Sequence, residues 1–264
     1  MSVTVVKNLF KGVDNFTVFA GIQSWVAAQI PELKLFKSNT SSHNSAWWLY
    51  RFGDTDYGVA FYCRTYGVHY FCGASFYRGI SDSVSIKHEY EFEFETIMEN
   101  DKKLYVKGAI VVRTPHGVII QWTTSSGTPY AQFLYFGKAN SAVNGEVTVG
   151  GIFSAASYIY SSIDSESQYK SDGSYFYFKI DSEVPAVWRH GVLTAICPRG
   201  ASYGTAGSIV ASAVYGVTST IWTDPIRIDA FYSLAGPVSP PYYTEVTVGG
   251  RKMQRVGEVL LLEG

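Results

Sequence analysis

Apolar and polar residues alternate along most of this chain, and one stretch departs from that rhythm into helical spacing. Within 14–30, Phe16, Phe19, Ile22, Val26 and Ile30 recur every three or four positions, which gathers them on one face of a helix. Asp14 or Asn15 is placed to cap the first turn through a side-chain oxygen. Pro31 lacks an N–H and clashes with the preceding turn, so the helix should close there. A lone amphipathic helix in a β chain is expected to lay its stripe across one sheet face. The polar segment 38–45 reads as a loop leading into Trp47-Trp48-Leu49-Tyr50, a strand.

Strand periodicity then takes over. In 58–77 a hairpin turning at Tyr66-Gly67 puts Val59, Phe61, Cys63 and Thr65 on one face with Val68, Tyr70, Cys72 and Ala74. Both cysteines then point inward as small hydrophobes, and His69 falls opposite, which argues against a redox or metal group made from the three. Residues 85–96 alternate most strictly, with Ile86, His88, Tyr90, Phe92 and Phe94 on one side and Lys87, Glu89, Glu91, Glu93 and Glu95 on the other. A loop at 100–102 would set Glu99 against Lys103, Glu95 against Lys107 and Glu89 against Arg113, and would bring Leu104, Val106, Ile110 and Val112 to the apolar side. Cross-strand ion pairs contribute about 0.2–1 kcal/mol each, so the column reads as a register ladder in preference to a divalent-cation site. Further strands are expected at 118–124, 131–136, 146–160, 174–180, 192–197, 208–217 and 244–262.

The hexapeptide Glu-Val-Thr-Val-Gly-Gly occurs at 146–151 and again at 245–250, each copy read as a strand ending in a Gly-Gly turn. Segment 137–145, with Asn140, Ser141 and Asn144, reads as a linker. Two domains are therefore expected: 1–143, the helix with an antiparallel β domain, and 144–264, a C-terminal β domain. The expected fold is mainly β, with antiparallel sheets in a β-sandwich-like arrangement and one N-terminal amphipathic helix packed on a sheet.

Composition adds that the surfaces should be neutral and rich in rings. Charged and aromatic residues each make up 16% of the chain, a balance suited to protein interfaces or sugar faces. With a formal net charge of −1 and scattered Lys and Arg, no stripe exists to neutralise a phosphate backbone, and no nucleic-acid partner is expected. Residues 1–10 lack the pattern of a secretory signal and no run reaches transmembrane length, so a soluble chain without classical export or membrane insertion is expected. Cys63, Cys72 and Cys197 make no C-x-x-C pair and fit synthesis in a reducing compartment. The sequons Asn15-Phe16-Thr17 and Asn39-Thr40-Ser41 are then chance matches.

Catalytic motifs fail on inspection. Gly73-Ala74-Ser75-Phe76-Tyr77 lacks the last glycine of a nucleophile elbow, and Ser167-Gln168-Tyr169-Lys170 lacks a companion Lys-Thr-Gly. No glycine-rich phosphate cradle occurs. His43, His69, His88, His116 and His190 lack metal-ligand spacing. Asp54-Thr55-Asp56-Tyr57-Gly58 opens like a calcium loop but puts Thr65 where a bidentate Glu belongs, so it reads as a tight turn before a strand. No catalytic, metal or cofactor-binding residue is assigned, and no cofactor is expected. Carboxylates for glycoside cleavage would have to come from the glutamate column, Glu89 and Glu91 included, or from Asp224 and Asp229. Trp47, Trp48, Trp122, Trp188 and Trp222 read as core, with sugar stacking the alternative, while Tyr175 and Tyr177 alternate outward from Phe176 and Phe178. Trp47, Tyr175 and Tyr177 are the rings singled out for a glycan.

The closing stretch 243–264, with Thr244-Glu245-Val246-Thr247-Val248-Gly249-Gly250-Arg251 at its turn, resembles the terminal hairpin of many tailed-bacteriophage virion proteins. Few charges and abundant Tyr, Gly, Ser and Thr add to the resemblance. It implies a non-enzymatic structural component of the virion tail or baseplate, located in the virion after synthesis in the host cytoplasm. Its implied partners are other virion proteins and copies of itself. On that reading Glu245, Val246, Val248, Arg251, Val256 and Leu260 form an assembly interface that extends a neighbour's sheet. A carbohydrate- or receptor-binding domain for a host-surface glycan, and a β-sandwich glycoside hydrolase, stay open as alternatives.

Overall fold

A computed structural model describes residues 3–12, 15–42, 45–66, 69–78, 106–124, 126–127, 129–141, 144–154, 174–182, 184, 188–195, 210–217, 226–235, 244–248, 250–255 and 260–263. The chain is mainly β, with one helix among the described residues. In order, the elements are β1 (Thr4–Leu9), α1 (Asn15–Gln29), β2 (Leu33–Asn39), β3 (Ser45–Phe52), β4 (Tyr57–Tyr66), β5 (His69–Arg78), β6 (Gly108–Arg113), β7 (Gly117–Thr123), β8 (Pro129–Ser141) and β9 (Gly145–Ser154). They continue as β10 (Ser174–Ile180), β11 (Trp188–Ala195), β12 (Val210–Val217), β13 (Ile226–Ala235), β14 (Glu245–Val248), β15 (Arg251–Arg255) and β16 (Leu260–Glu263).

Among the described residues the strands form two antiparallel sheets. One is the four-stranded meander β2-β3-β4-β5, and the other has twelve strands in the order β1-β6-β7-β8-β9-β10-β11-β12-β13-β16-β15-β14, with β13 also meeting β8. Contacts divide the chain into two compact units, one of residues 6–111 and 119–134, the other of 1–5, 112–118 and 135–264. Residue 143 lies inside the second unit.

In the first unit the helix follows its sequence pattern. Phe19, Ile22, Val26 and Ile30 are buried, as is Val18, and Phe16 leans on Trp48 at 5.9 Å between ring centroids. Burying side chains of this size stabilises by about 1.5–3 kcal/mol each, which is what holds an uncharged 15-residue helix in place. Trp122 of β7 joins the layers, with Phe19 of α1 and Phe61 of β4 at centroid distances of 5.7 and 6.1 Å. Gln23 is one of the buried polar residues in this core. Its Nε2 donates to Ala20 O, and its Oε1 accepts from the Tyr50 hydroxyl at 2.8 Å.

The segment 53–56 is the tight turn the sequence suggested. Gly53 takes φ 54°, and the Thr55 hydroxyl donates to Phe52 O at 2.6 Å before β4 begins. In the β4–β5 hairpin the expected faces hold: Val59, Phe61 and Cys63 lie buried with Cys72, Ala74 and Phe76. The turn itself moves by one residue, because Tyr66 pairs with His69 and leaves Gly67-Val68 as the connection. Parity survives that slip because the register changes by an even number of residues.

Three expectations need correction. Segment 137–145 is no linker: residues 137–141 complete β8 and Gly145 opens β9, neighbours in one sheet. Asn, Ser and Gly mark a hairpin turn as readily as a linker. The first hexapeptide does not end at its glycines, since Gly150 and Gly151 sit within β9 opposite Tyr177 and Phe176 of β10. Only the second copy turns there, with Val248 paired to Arg251 and Gly250 at φ 79°. Strands β1, β2 and β13 also form where none was expected. The glutamate column of 85–96 and its loop lie outside the described residues; Val106, Ile110 and Val112 are buried, but so are Ala109 and Val111 on the opposite side of β6.

Candidate functional site

The four-stranded sheet has two apolar faces. One packs on the helix, and the other carries a row of rings. Along that second face the register aligns Arg51, Gly58 and Tyr77, then Leu49, Ala60 and Ser75, then Trp47, Tyr62 and Gly73. Leu49 and Ala60 are buried beneath half-buried Phe36, Trp47 and Tyr77. Phe36 lies on this face by alternation, two residues from Lys34, which pairs with Arg51, and β2 then bulges between Leu35 and Lys37. The Arg51 guanidinium lies 4.1 Å above the centre of the Phe36 ring and the Lys37 ammonium 5.2 Å from it, two cation–π contacts that stiffen the platform. Gly58 is needed underneath, for a Cβ there would collide with the Tyr50 carbonyl. Half-buried rings beside a guanidinium can stack on a sugar face or seat a protein surface.

Trp47, singled out from sequence, belongs to this platform, whereas Trp48 and Trp122 are core. Phe36, Arg51, Tyr62 and Tyr77 were not nominated; strict alternation against buried Phe61, Cys63 and Phe76 carried the signal for the two tyrosines. Tyr175 and Tyr177 occupy β10 opposite Val192 and His190, two strands of the other sheet, so the three nominated rings do not share one sheet.

The second feature is an edge. Among the described residues β14 stands last in the twelve-stranded sheet, paired to β15. Arg255 N donates to Thr244 O at 3.1 Å, so with antiparallel alternation residues 244, 246 and 248 bond toward β15 while the backbones of Glu245 and Thr247 face outward. Glu245 and Thr247 are exposed, and Glu245 forms a 3.1 Å ion pair with Lys252 across the hairpin. Val246 and Val248 sit on β14 and Arg251 on β15. Leu260 does not belong to an edge: β16 lies between β13 and β15, with Leu260 paired to Ser233. An alternating tail does not reveal which of its strands stands outermost. Val256 lies outside the described residues.

The densest polar constellation is Lys138, Glu146, Thr148 and Asp181. Lys138 Nζ donates to Asp181 Oδ2 at 2.6 Å, Glu146 Oε1 at 3.2 Å and Thr148 Oγ1 at 3.3 Å, while the Thr148 hydroxyl donates to Asp181 Oδ1 at 2.8 Å. Burial alone would lower the Lys138 pKa, but hydrogen bonds and charge from Asp181 and then Glu146 outweigh it, and the net shift is upward. A lysine held charged is no base, and a buried threonine already committed to a carboxylate is a poor nucleophile. The cluster clamps β8, β9 and the turn after β10 in register.

Asp229 lies on β13, while Glu89, Glu91, Asp224 and Trp222 fall outside the described residues. Among the described residues no three His, Cys, Asp or Glu side chains gather as metal ligands, and no helix is long and apolar enough to cross a membrane. Compared with protein-family models and with curated proteins, the sequence matches none.

Proposed function

We propose that this chain is a non-enzymatic structural subunit of a bacteriophage virion, in the tail or baseplate, joined to its neighbours by strand addition at β14. The observation that carries this reading is the outward backbone of Glu245 and Thr247 on what is, among the described residues, the last strand of a twelve-stranded sheet. An open edge presents unpaired N–H and C=O groups, a template for another strand. Sparse charge and abundant tyrosine support burial of the adjoining surface between subunits. The partners are copies of this chain and other virion proteins, and the location is the virion. Mass spectrometry of purified particles tests it: stable recovery of the chain with the particle is expected, and recovery in the unassembled lysate alone would refute the role.

A second reading draws on the ring platform of Phe36, Trp47, Tyr62 and Tyr77 with Arg51, which suits a glycan or receptor. A glycan array gives signals that Trp47→Ala removes if that reading holds, and no signals if it does not.

A further inference from the structure

We propose that Cys63 and Cys72 are a latent cross-strand disulfide, able to clasp β4 to β5 when the chain meets an oxidising thiol–disulfide environment. The two residues are direct partners in the hairpin, and their Sγ atoms lie 3.4 Å apart. Tyr66 and His69 pair across a two-residue connection, so this closing rung is the hydrogen-bonded kind. Rungs then alternate, and the Cys63–Cys72 rung, three further on, is non-hydrogen-bonded, with Cα atoms about 4.5 Å apart. Disulfides span Cα separations of about 4.4–6.8 Å. The backbone therefore already meets the requirement, and side-chain rotation closes the remaining sulfur gap.

Oxidation proceeds by exchange with a small disulfide such as oxidised glutathione. One cysteine gives its proton to solvent, and its thiolate attacks a glutathione sulfur, breaking that S–S bond and releasing a glutathione thiolate. The second cysteine, also deprotonated, attacks the protein sulfur of the mixed disulfide and releases the second glutathione thiolate. The protein loses two electrons and two protons, the electron pair leaves on the reduced glutathione, and the released thiolates take up the protons. At 1% and 0% exposure the thiols are closed to reagents in the paired sheet. Exchange therefore waits on local opening of β5, the last strand of its sheet among the described residues. The pair would stay reduced during synthesis in a reducing cytoplasm and close after release.

The test uses the full chain with Cys197→Ser, equilibrated in glutathione buffers of rising disulfide-to-thiol ratio. Equilibrium is approached both from reduced chain and from chain oxidised while unfolded in urea. After alkylation and peptide mapping, the expected result is a peptide pair joined at Cys63 and Cys72, lighter by two hydrogens. The unfolding temperature should rise by roughly 5 °C, reversed by dithiothreitol. Alkylatable thiols or glutathione adducts alone at the most oxidising ratio, from both directions, would overturn the proposal. So would an equal rise when Cys63→Ala leaves a single thiol of the pair.

Discussion

The Tyr50 hydroxyl donates a 2.8 Å hydrogen bond to Gln23 Oε1, tying the middle of β3 to the buried side of α1. Both side chains are buried, so the bond satisfies polar atoms that water does not reach. Tyr50→Phe should cost about 1–3 kcal/mol, because it leaves the amide oxygen unsatisfied. Adding Gln23→Leu should recover part of that loss. Urea unfolding of the two single variants and the double variant reads the coupling directly.

Burial also holds the Tyr50 hydroxyl above its ordinary pKa. The stability this neutral group contributes is complete below about pH 10 and is lost as pH rises through the raised value, since the unfolded chain ionises first. Lys138 shifts in the same direction and adds to the same alkaline loss. Tyr50→Phe should thus be less stable at neutral pH yet decline less steeply above pH 10, as alkaline unfolding series would record. Parallel slopes for wild type and variant would contradict the assignment.

Much of the β architecture was legible because burial imposes a period of two. Ser174–Ile180 forms with the bounds its alternation gave, and the cysteine face of the β4–β5 hairpin follows from parity alone. β2 stayed hidden because Lys34 and Lys37 interrupt its apolar positions at a sheet edge. The hexapeptide shows where local reading ends. Its first copy continues into Ile152-Phe153 and is sandwiched between β8 and β10, which keeps the glycines extended; its second runs into Arg251 and Lys252 and turns. The ring platform was only partly legible, since Trp47 lies in an expected strand but Phe36 lies on β2, where no strand was expected.

Trp122 should behave as the keystone of the first unit. Phe61→Ala, which opens a cavity against that indole and Tyr50, is expected to cost about 3–5 kcal/mol. Phe19→Ala should cost a similar amount. Because both rings touch Trp122, the double variant should depart from additivity, as chemical denaturation would show.

The Lys138 cluster is expected to matter for register and not for turnover. Thr148→Val removes a buried hydroxyl bonded to Asp181 and should cost about 1–2 kcal/mol. Asp181→Asn should weaken the exposed side of the clamp by about 1 kcal/mol or less, with the effect shrinking at high salt. Thermal melts across a salt series check both.

The central claim is assembly through the outward edge of β14, and Thr247→Pro isolates it. Proline there removes an N–H that faces away from β15, so the hairpin pairing should persist while strand addition is blocked. Deleting 244–264 would be less informative, because it also removes buried Met253 and Arg255 and the strand paired with β13. The deciding measurement is molar mass by light scattering coupled to gel filtration, over a range of concentrations, for wild type and Thr247→Pro. A discrete oligomer that becomes a folded monomer in the variant is the predicted result. A wild-type monomer at every concentration, or a variant that assembles unchanged, would contradict self-assembly through this edge.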